Sequence, residues 1–106
     1  MKKRKNKLSV APMMDYTDRH CRFFHRILSK KSFLFSEMIK DESILNGNKE
    51  NLLKFDEFEK PLALQLGGSN KNKLKEATKI GINYGYDEIN LNLGCPSKKV
   101  KSGKFG

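Results

Sequence analysis

The segment Glu88-Ile89-Asn90-Leu91-Asn92-Leu93-Gly94-Cys95-Pro96-Ser97 decides the fold class of this chain. Its first six residues alternate strictly, so one face of a predicted strand is aliphatic and the other carries one carboxylate and two amides. Gly94 permits a tight turn or the close approach of a ligand, and Pro96 fixes the backbone after Cys95, so the thiol is held at a defined strand exit. The pattern predicts a strand with an apolar face packed on helices and a polar face leading to a site.

The segments upstream repeat the order of strand and helix. Apolar runs bounded by turn residues predict strands over residues 8–12, 32–39 and 62–66. Amphipathic patterns predict helices over 18–30, capped by Thr17, and over 70–83, capped by Ser69 and followed by Gly85. Residues 40–60 are polar and predict a loop with at most one short helix. Four strands separated by helical segments indicate an α/β fold with a parallel sheet.

The first predicted helix has one aliphatic and aromatic stripe. Cys21, Phe24 and Leu28 recur at helical spacing, and the arginines fall mostly on other faces. We therefore expect this stripe to be core and Cys21 to be a buried thiol. In the following strand, Glu37 is an unexpected carboxylate that needs a partner if it is buried.

Composition limits the class of protein. The chain has 106 residues, which is one small domain at most, and no apolar run approaches the length that spans a bilayer. The formal net charge of +10 favours a polyanionic partner such as nucleic acid, although 18 of the 22 cations are Lys, which the nucleotide composition of the source explains equally well.

Two distant cysteines and no export signal indicate free thiols and a cytoplasmic protein. Residues 1–7 carry five Lys or Arg and predict a disordered, solvated basic leader. No metal site is expected, because His20 and His25 lie five apart and no Cys-x-x-Cys pair occurs.

Two groups of residues could carry chemistry. Cys95 is held at a strand exit, where it could be a catalytic thiol or a small buried cysteine in a turn. Gln65, Asn90 and Asn92 lie on polar faces near strand ends, so their amides could bind a heterocycle or could satisfy one another. The residues alone leave both pairs of alternatives open.

Taken together, four segments resemble the tRNA-dihydrouridine synthases, most closely the bacterial A-type enzymes. They are Val10 to Arg22 (VAPMMDYTDRHCR), Ser36-Glu37-Met38, Ala63 to Gly68 (ALQLGG) and Gly85 to Ser97 (GYDEINLNLGCPS). The match runs in order from about residue 8 to residue 106, and it continues through Val100, Gly103 and Phe105-Gly106.

The resemblance implies an FMN-binding (β/α)₈ TIM barrel followed by a helical domain that helps to hold tRNA, with NADPH as reductant. In this reaction reduced FMN passes a hydride to C6 of the uracil ring and a cysteine donates a proton to C5. By position, Cys95 matches the proton donor, which must hold its proton. Ala11, Pro12, Met13 and Gln65 match positions that contact FMN, and Asn92 matches one near the uridine. For Glu37, Asn90 and Arg22 the resemblance implies a supporting structural role.

The resemblance also predicts the extent of the domain. Residues 8–106 would form strands 1–4 of the barrel, truncated after strand 4, and the remaining strands and the helical domain would be absent. Such a piece is expected to be inactive alone. Two alternatives remain, an FMN-dependent barrel oxidoreductase acting on a free pyrimidine and an inactive basic RNA-binding fragment. The sequence leaves open the oligomeric state, the uridine modified, and the choice between NADPH and NADH.

Overall fold

The computed structural model describes residues 8–104 of the chain, so the predicted leader over residues 1–7 lies outside the described residues, as do Phe105 and Gly106. Its elements follow one another in the order expected for alternating strands and helices. They are α1 (Arg19–Leu28), β1 (Leu34–Lys40), α2 (Asp41–Asn46), α3 (Lys49–Leu53), a 3₁₀ turn (Glu57–Glu59), β2 (Leu62–Gly67), α4 (Lys71–Tyr84), β3 (Glu88–Leu91) and α5 (Lys98–Gly103).

The three strands form one parallel sheet in the order β1-β2-β3. Each connection between neighbouring strands contains helix, as parallel pairing requires. The ladder pairs Gln65 with Asn90, and on the other side it pairs Gln65 with Met38 after a register shift between Phe35 and Met38. The predicted α/β class with a parallel sheet is therefore confirmed.

The main core lies on the face of the sheet that α2, α3 and α4 cover. The leucines of β2 alternate toward it, because residues two apart in a strand share a face. Its fully buried members are Leu34, Ile44, Leu53, Leu62, Leu64, Leu66, Ala77 and Tyr86. A smaller cluster of Phe33, Phe35 and Ala63 lies apart from it. Because Ala63 and Gln65 alternate with the core leucines, the amide of Gln65 belongs to the face opposite the helices.

The strand predicted over residues 8–12 is reduced to a single parallel bridge between Ser9 and Phe33. Val10 N donates to Phe33 O at 3.0 Å, and Phe33 N donates to Leu8 O at 2.9 Å. The ladder cannot continue through Pro12, which has no N–H to donate. The segment still runs alongside the start of β1, parallel to it.

The prediction for the buried face of α1 was wrong. Phe24 and Leu28 are 58% and 68% exposed, Cys21 is only half-buried, and the residues that α1 buries are Arg22 and Arg26. Arg26 donates to the carbonyl oxygens of Ser29, Ser32, Glu59 and Pro61. These acceptors compensate the desolvation of the guanidinium, so polarity alone did not decide which face turned inward.

Residues 40–60 are more ordered than the sequence predicted. They contain α2, α3 and the 3₁₀ turn, each fixed by a local contact that periodicity over so few residues does not reveal. Asn48 accepts from Asn51 N, and Asp56 and Glu59 form a reciprocal capping box. For α4, the cap is Asn70 rather than Ser69, and Gly85 is confirmed as the left-handed residue that ends the helix, at φ 98°.

Among residues 8–104, no helix has the length and apolar character needed to cross a membrane.

Candidate functional site

The amides of β2 and β3 form a connected row at the carboxyl end of the sheet. Gln65 Nε2 donates to Asn90 Oδ1 at 2.7 Å, and Asn92 Nδ2 donates to Gln65 Oε1 at 3.3 Å. Parallel pairing at equal register produces this row, because Gln65 and Asn90 are direct ladder partners. Gln65 is only 6% exposed, so its orientation is set by these bonds.

We call Gln65, Asn90 and Asn92 the amide row. Its oxygens are largely engaged, since Asn92 Oδ1 also accepts from Gly94 N at 3.0 Å. What remains is mainly N–H, because each amide nitrogen carries two protons and donates at most one of them within the row. The three amides thus partly satisfy one another, as one of the two interpretations expected, while keeping donors for the carbonyl oxygens or ring nitrogens of a heterocycle.

Cys95 lies beside the amide row, after β3 has ended. Its half-buried side chain packs against a cluster formed by Met38 and Val100, which Met14 also contacts. As a thiol, Cys95 Sγ donates to Ser97 Oγ at 3.5 Å. Once Cys95 is ionised, the hydroxyl and the backbone N–H of Ser97 donate to the thiolate instead, and this stabilisation lowers the pKa of Cys95 from its ordinary value. The thiol is held at the strand exit, as the sequence predicted.

The other cysteine has a different environment. Cys21 lies on α1 with its Sγ 3.4 Å from His25 Nδ1, and burial together with the charge of Asp18 raises the pKa of the Cys21 thiol. Only Cys95 of the two has its pKa shifted downward, and only Cys95 lies at the carboxyl end of the sheet.

Ala11, Pro12 and Met13 form the loop between the bridge at Ser9 and α1. Ala11 and Met13 are exposed and Pro12 is half-buried. Buried Thr17 closes the loop, because its Oγ1 accepts from Met13 N at 3.0 Å and donates to Met13 O at 3.1 Å. The loop reaches the cluster around Cys95 through Met14. Within residues 8–104, no hydrogen bond is found between these three residues and the amide row.

Two expectations about this region need correction. Gly94 does not lie in the left-handed region, and a Cβ built there would have no neighbour within 4 Å, so no tight turn requires glycine. Glu37 is half-buried rather than buried, and it lines a cavity of about 430 Å³ together with Met14 and Met38.

The residues that position Cys95 were not predicted from the sequence. Met14, Met38 and Val100 pack around it, and Ser97 caps α5 by accepting from Val100 N at 3.3 Å. The serine two residues after the cysteine and before a helix was the available signal, because that spacing is typical of an N-cap. The methionines carried no such signal, since they come from segments far apart in the chain.

Comparison with known proteins agrees with this geometry. Residues 9–106 match the family model described as dihydrouridine synthase (Dus). The chain is 56% identical over 101 residues to the tRNA-dihydrouridine(20/20a) synthase of Synechocystis sp., covering 95% of this chain and 30% of that protein. The proteins of the same name from Xanthomonas campestris pv. campestris and Vibrio parahaemolyticus are each 54% identical over 100 residues, which is 94% of this chain and 30% of each relative.

This chain therefore spans about 30% of the length of the curated relatives that it matches. The family model covers nearly all of the chain, including every candidate site residue. The match and the placement of Cys95 beside the amide row lead to one conclusion: the chain belongs to the dihydrouridine synthase family.

Proposed function

We propose that this chain supplies the first four strands of an FMN-binding (β/α)₈ barrel in a cytoplasmic tRNA-dihydrouridine synthase. Three parallel strands with helices on one face support the barrel, and the parallel bridge at Ser9 and Phe33 supplies a fourth neighbour. In such barrels the active site lies at the carboxyl ends of the strands, which is where the amide row and Cys95 occur. Related enzymes are named for uridines 20 and 20a of tRNA, and we propose the same substrates here.

The residues at this edge fit a flavin ring. The N–H groups left on the amide row match the carbonyl oxygens and ring nitrogens of an isoalloxazine, and the exposed loop at Ala11, Pro12 and Met13 offers an apolar edge. Gln65, Ala11, Pro12 and Met13 would hold the ring. FMN, once reduced by NADPH, supplies the hydride for C6 of the uracil.

Cys95 acts as the general acid in this proposal. Its thiol donates a proton to C5 of the uracil, and the resulting thiolate regains a proton from solvent, so the uridine gains one hydride and one proton in all. Asn92 donates one side-chain N–H to Gln65 and lies three residues before Cys95. Its second N–H orients the uridine in this proposal. The single observation that carries the proposal is the placement of Cys95 in the segment that leaves β3, just after Asn90 on the strand and Asn92 at its exit.

The decisive experiment changes Cys95→Ala in a completed protein, in which residues 1–106 are followed by the corresponding remainder of the Synechocystis relative. We expect single-turnover uridine reduction to fall by roughly 10² to 10⁴-fold while FMN stays bound, because a general acid contributes to proton transfer and little to cofactor affinity. Cys21→Ala is the matched control and should react normally, since Cys21 lies on α1 beside His25.

A normal rate of reduction in the Cys95→Ala protein would overturn the role of Cys95. Unmodified tRNA and free uridine should be compared in the same assay. Turnover of the free base at the rate seen with tRNA would favour an oxidoreductase acting on a free pyrimidine instead.

A further inference from the structure

The segment that follows β3 carries lysines without acids. Residues 89–106 contain four Lys and no Asp or Glu. Lys98, Lys101 and Lys104 are exposed, and we call these three the lysine row. Among the ion pairs found within residues 8–104, none includes a member of the lysine row, whereas Lys40, Lys60, Lys73 and Lys79 each have a carboxylate within 4 Å. The charges of the lysine row are therefore available to an external anion.

The lysine row is fixed relative to Cys95. Val100 is 1% exposed and packs on Met38, in the same cluster that Cys95 contacts. Ser97 joins the two ends of this short segment, because its Oγ accepts from Val100 N and lies 3.5 Å from Cys95 Sγ. The row therefore starts three residues after the thiol, on a helix whose buried face cannot turn without exposing Val100.

The length of the row matches a chain of phosphates rather than one phosphate. Lys98 and Lys101 lie on α5 and Lys104 is its left-handed C-cap, so at a helical rise of about 1.5 Å per residue the backbone of the row is on the order of 9 Å long. Lys104 also lines a small cavity of about 50 Å³, where Glu42 pairs with Lys40 and Lys73. The charge that is left for an external anion is therefore that of the lysine row itself.

We propose that the lysine row binds the sugar-phosphate backbone of the substrate RNA, in the nucleotides next to the uridine that Cys95 protonates. The inference rests on the proposed function and specifies where the RNA strand runs. Lysine contacts to phosphates release counterions and carry no sequence preference, so the row contributes to affinity and position rather than to the choice of base. Its loss should raise the KM for tRNA and leave kcat nearly unchanged.

The test compares two triple variants of the completed protein that lose the same charge. Lys98→Gln, Lys101→Gln and Lys104→Gln remove the row, while Lys30→Gln, Lys31→Gln and Lys75→Gln remove three exposed lysines outside α5 that, within residues 8–104, also take part in none of the ion pairs found. Affinity for unmodified tRNA is measured from 0.05 to 0.5 M salt, and bound FMN is measured from its absorbance. Acetylation of each lysine by an amine reagent, with and without tRNA, locates the contact.

For the row variant we expect tRNA affinity near 0.15 M salt to fall by roughly 10- to 50-fold, with a salt slope reduced by about 2, since each phosphate contact on single-stranded RNA contributes about 0.7 to that slope. The control triple should lose less than about 3-fold. Lysines of the row should be protected from acetylation by tRNA, and Lys30 and Lys31 should not.

Three results would overturn the inference. Equal losses in the two triples would show diffuse attraction to a basic protein. Loss of FMN with unchanged tRNA affinity would show that the row serves the phosphate of the cofactor. Unchanged tRNA affinity, together with no protection of these lysines from acetylation, would show that the row is only a solvated helix face. Failure of the proposed function can be told apart from failure of this inference. If the unmutated protein binds tRNA but reduces no uridine, the proposed function is wrong, while the binding measurements still test the lysine row.

Discussion

Gln65 is positioned before any ligand arrives. It sits in the middle of the amide row, donating to Asn90 and accepting from Asn92, while Ser36 Oγ accepts its backbone N–H at 2.9 Å. A buried amide with both side-chain groups engaged has little freedom to flip. The bonds within the row thus lower the entropy that ordering this side chain would otherwise cost on binding.

Replacing Gln65 should weaken the binding of flavin. In the completed protein, Gln65→Ala removes one hydrogen bond worth about 0.5 to 1.5 kcal/mol, so we expect roughly 2- to 13-fold weaker retention of FMN. Asn90→Ala serves as the comparison, because it takes away the partner of Gln65 while leaving the glutamine amide itself in place. Titration of the apoprotein with FMN measures both. An unchanged dissociation constant for Gln65→Ala would remove Gln65 from the flavin site.

Ser97 should set the pH range in which Cys95 holds its proton. Because the serine lowers the pKa of the thiol, Ser97→Ala should raise that pKa toward its ordinary value. The acid form is the proton donor and is lost as pH rises through the pKa, so the alkaline limb of uridine reduction should move to higher pH. The pH dependence of alkylation by iodoacetamide reports the same shift without requiring turnover.

In the same alkylation experiment, Cys21 is an internal control, since it makes no contact with Ser97 and its profile should stay fixed. Ser97→Thr should restore the original profile of Cys95, because it keeps the hydroxyl. Identical profiles for Cys95 in the serine and alanine proteins would mean that this hydrogen bond has no influence on the thiol.

The helix α1 is attached to the rest of the fold by its arginines. Arg22 is 6% exposed and its Nε donates to Glu59, which is 2% exposed and also accepts from Asp56 N. Arg22 further donates to the carbonyl of Thr17 at 2.8 Å. The pair thus connects α1 to the turn that precedes β2, and both carboxylate oxygens of Glu59 and two of the three guanidinium nitrogens of Arg22 have partners that offset their removal from water.

Breaking this ion pair should be costly. We expect Arg22→Ala to lower the free energy of unfolding of the completed protein by about 3 kcal/mol, because the carboxylate of Glu59 is left buried without its cation. Lys79→Ala breaks the exposed pair with Glu76 and should change stability by less than about 1 kcal/mol. Urea denaturation followed by circular dichroism measures both. Equal effects would show that burial adds nothing to the pair.

On the scale of the whole molecule, the sheet is covered unevenly. Within residues 8–104, β3 pairs only with β2. Leu91, at the end of this strand, and Leu93, two residues beyond it, are 46% and 86% exposed, although their alternation with Asn90 and Asn92 predicts a face covered by helices. On α1, Phe24, Ile27 and Leu28 are also more than half exposed. An unpaired parallel edge with exposed aliphatic side chains favours association with other chains.

The 106-residue chain expressed by itself should therefore self-associate, retain no FMN and reduce no uridine. Light scattering after size-exclusion chromatography and flavin absorbance test this directly. Changing Leu91→Lys and Leu93→Lys together should shift the chain toward monomer, because charged side chains protect a strand edge. Ser69→Lys is a control that adds a charge on an exposed loop. A yellow, monomeric and active preparation of the unmodified chain would contradict the prediction.

Local chemistry was readable from the sequence by itself. The alternation in residues 88–93, the apolar run that became β2, Gly85 at the end of α4 and the placement of Cys95 after a strand all depend on residues close together in the chain. Backbone geometry and side-chain periodicity determine such features, so they can be predicted without knowing which distant residues they contact. The order of strands and helices, and with it the parallel sheet, followed from these local patterns.

Only the tertiary structure decided which face of α1 is buried, because Glu59 and Pro61, which accept hydrogen bonds from Arg22 and Arg26, lie 33 to 37 positions further along the chain. The same holds for the amide row, which exists because the register places Gln65 beside Asn90, and for the methionines that enclose Cys95. The sequence pattern shows which side chains are costly to remove from water. It does not show which distant groups will form the hydrogen bonds that offset this cost, because the fold brings those groups together.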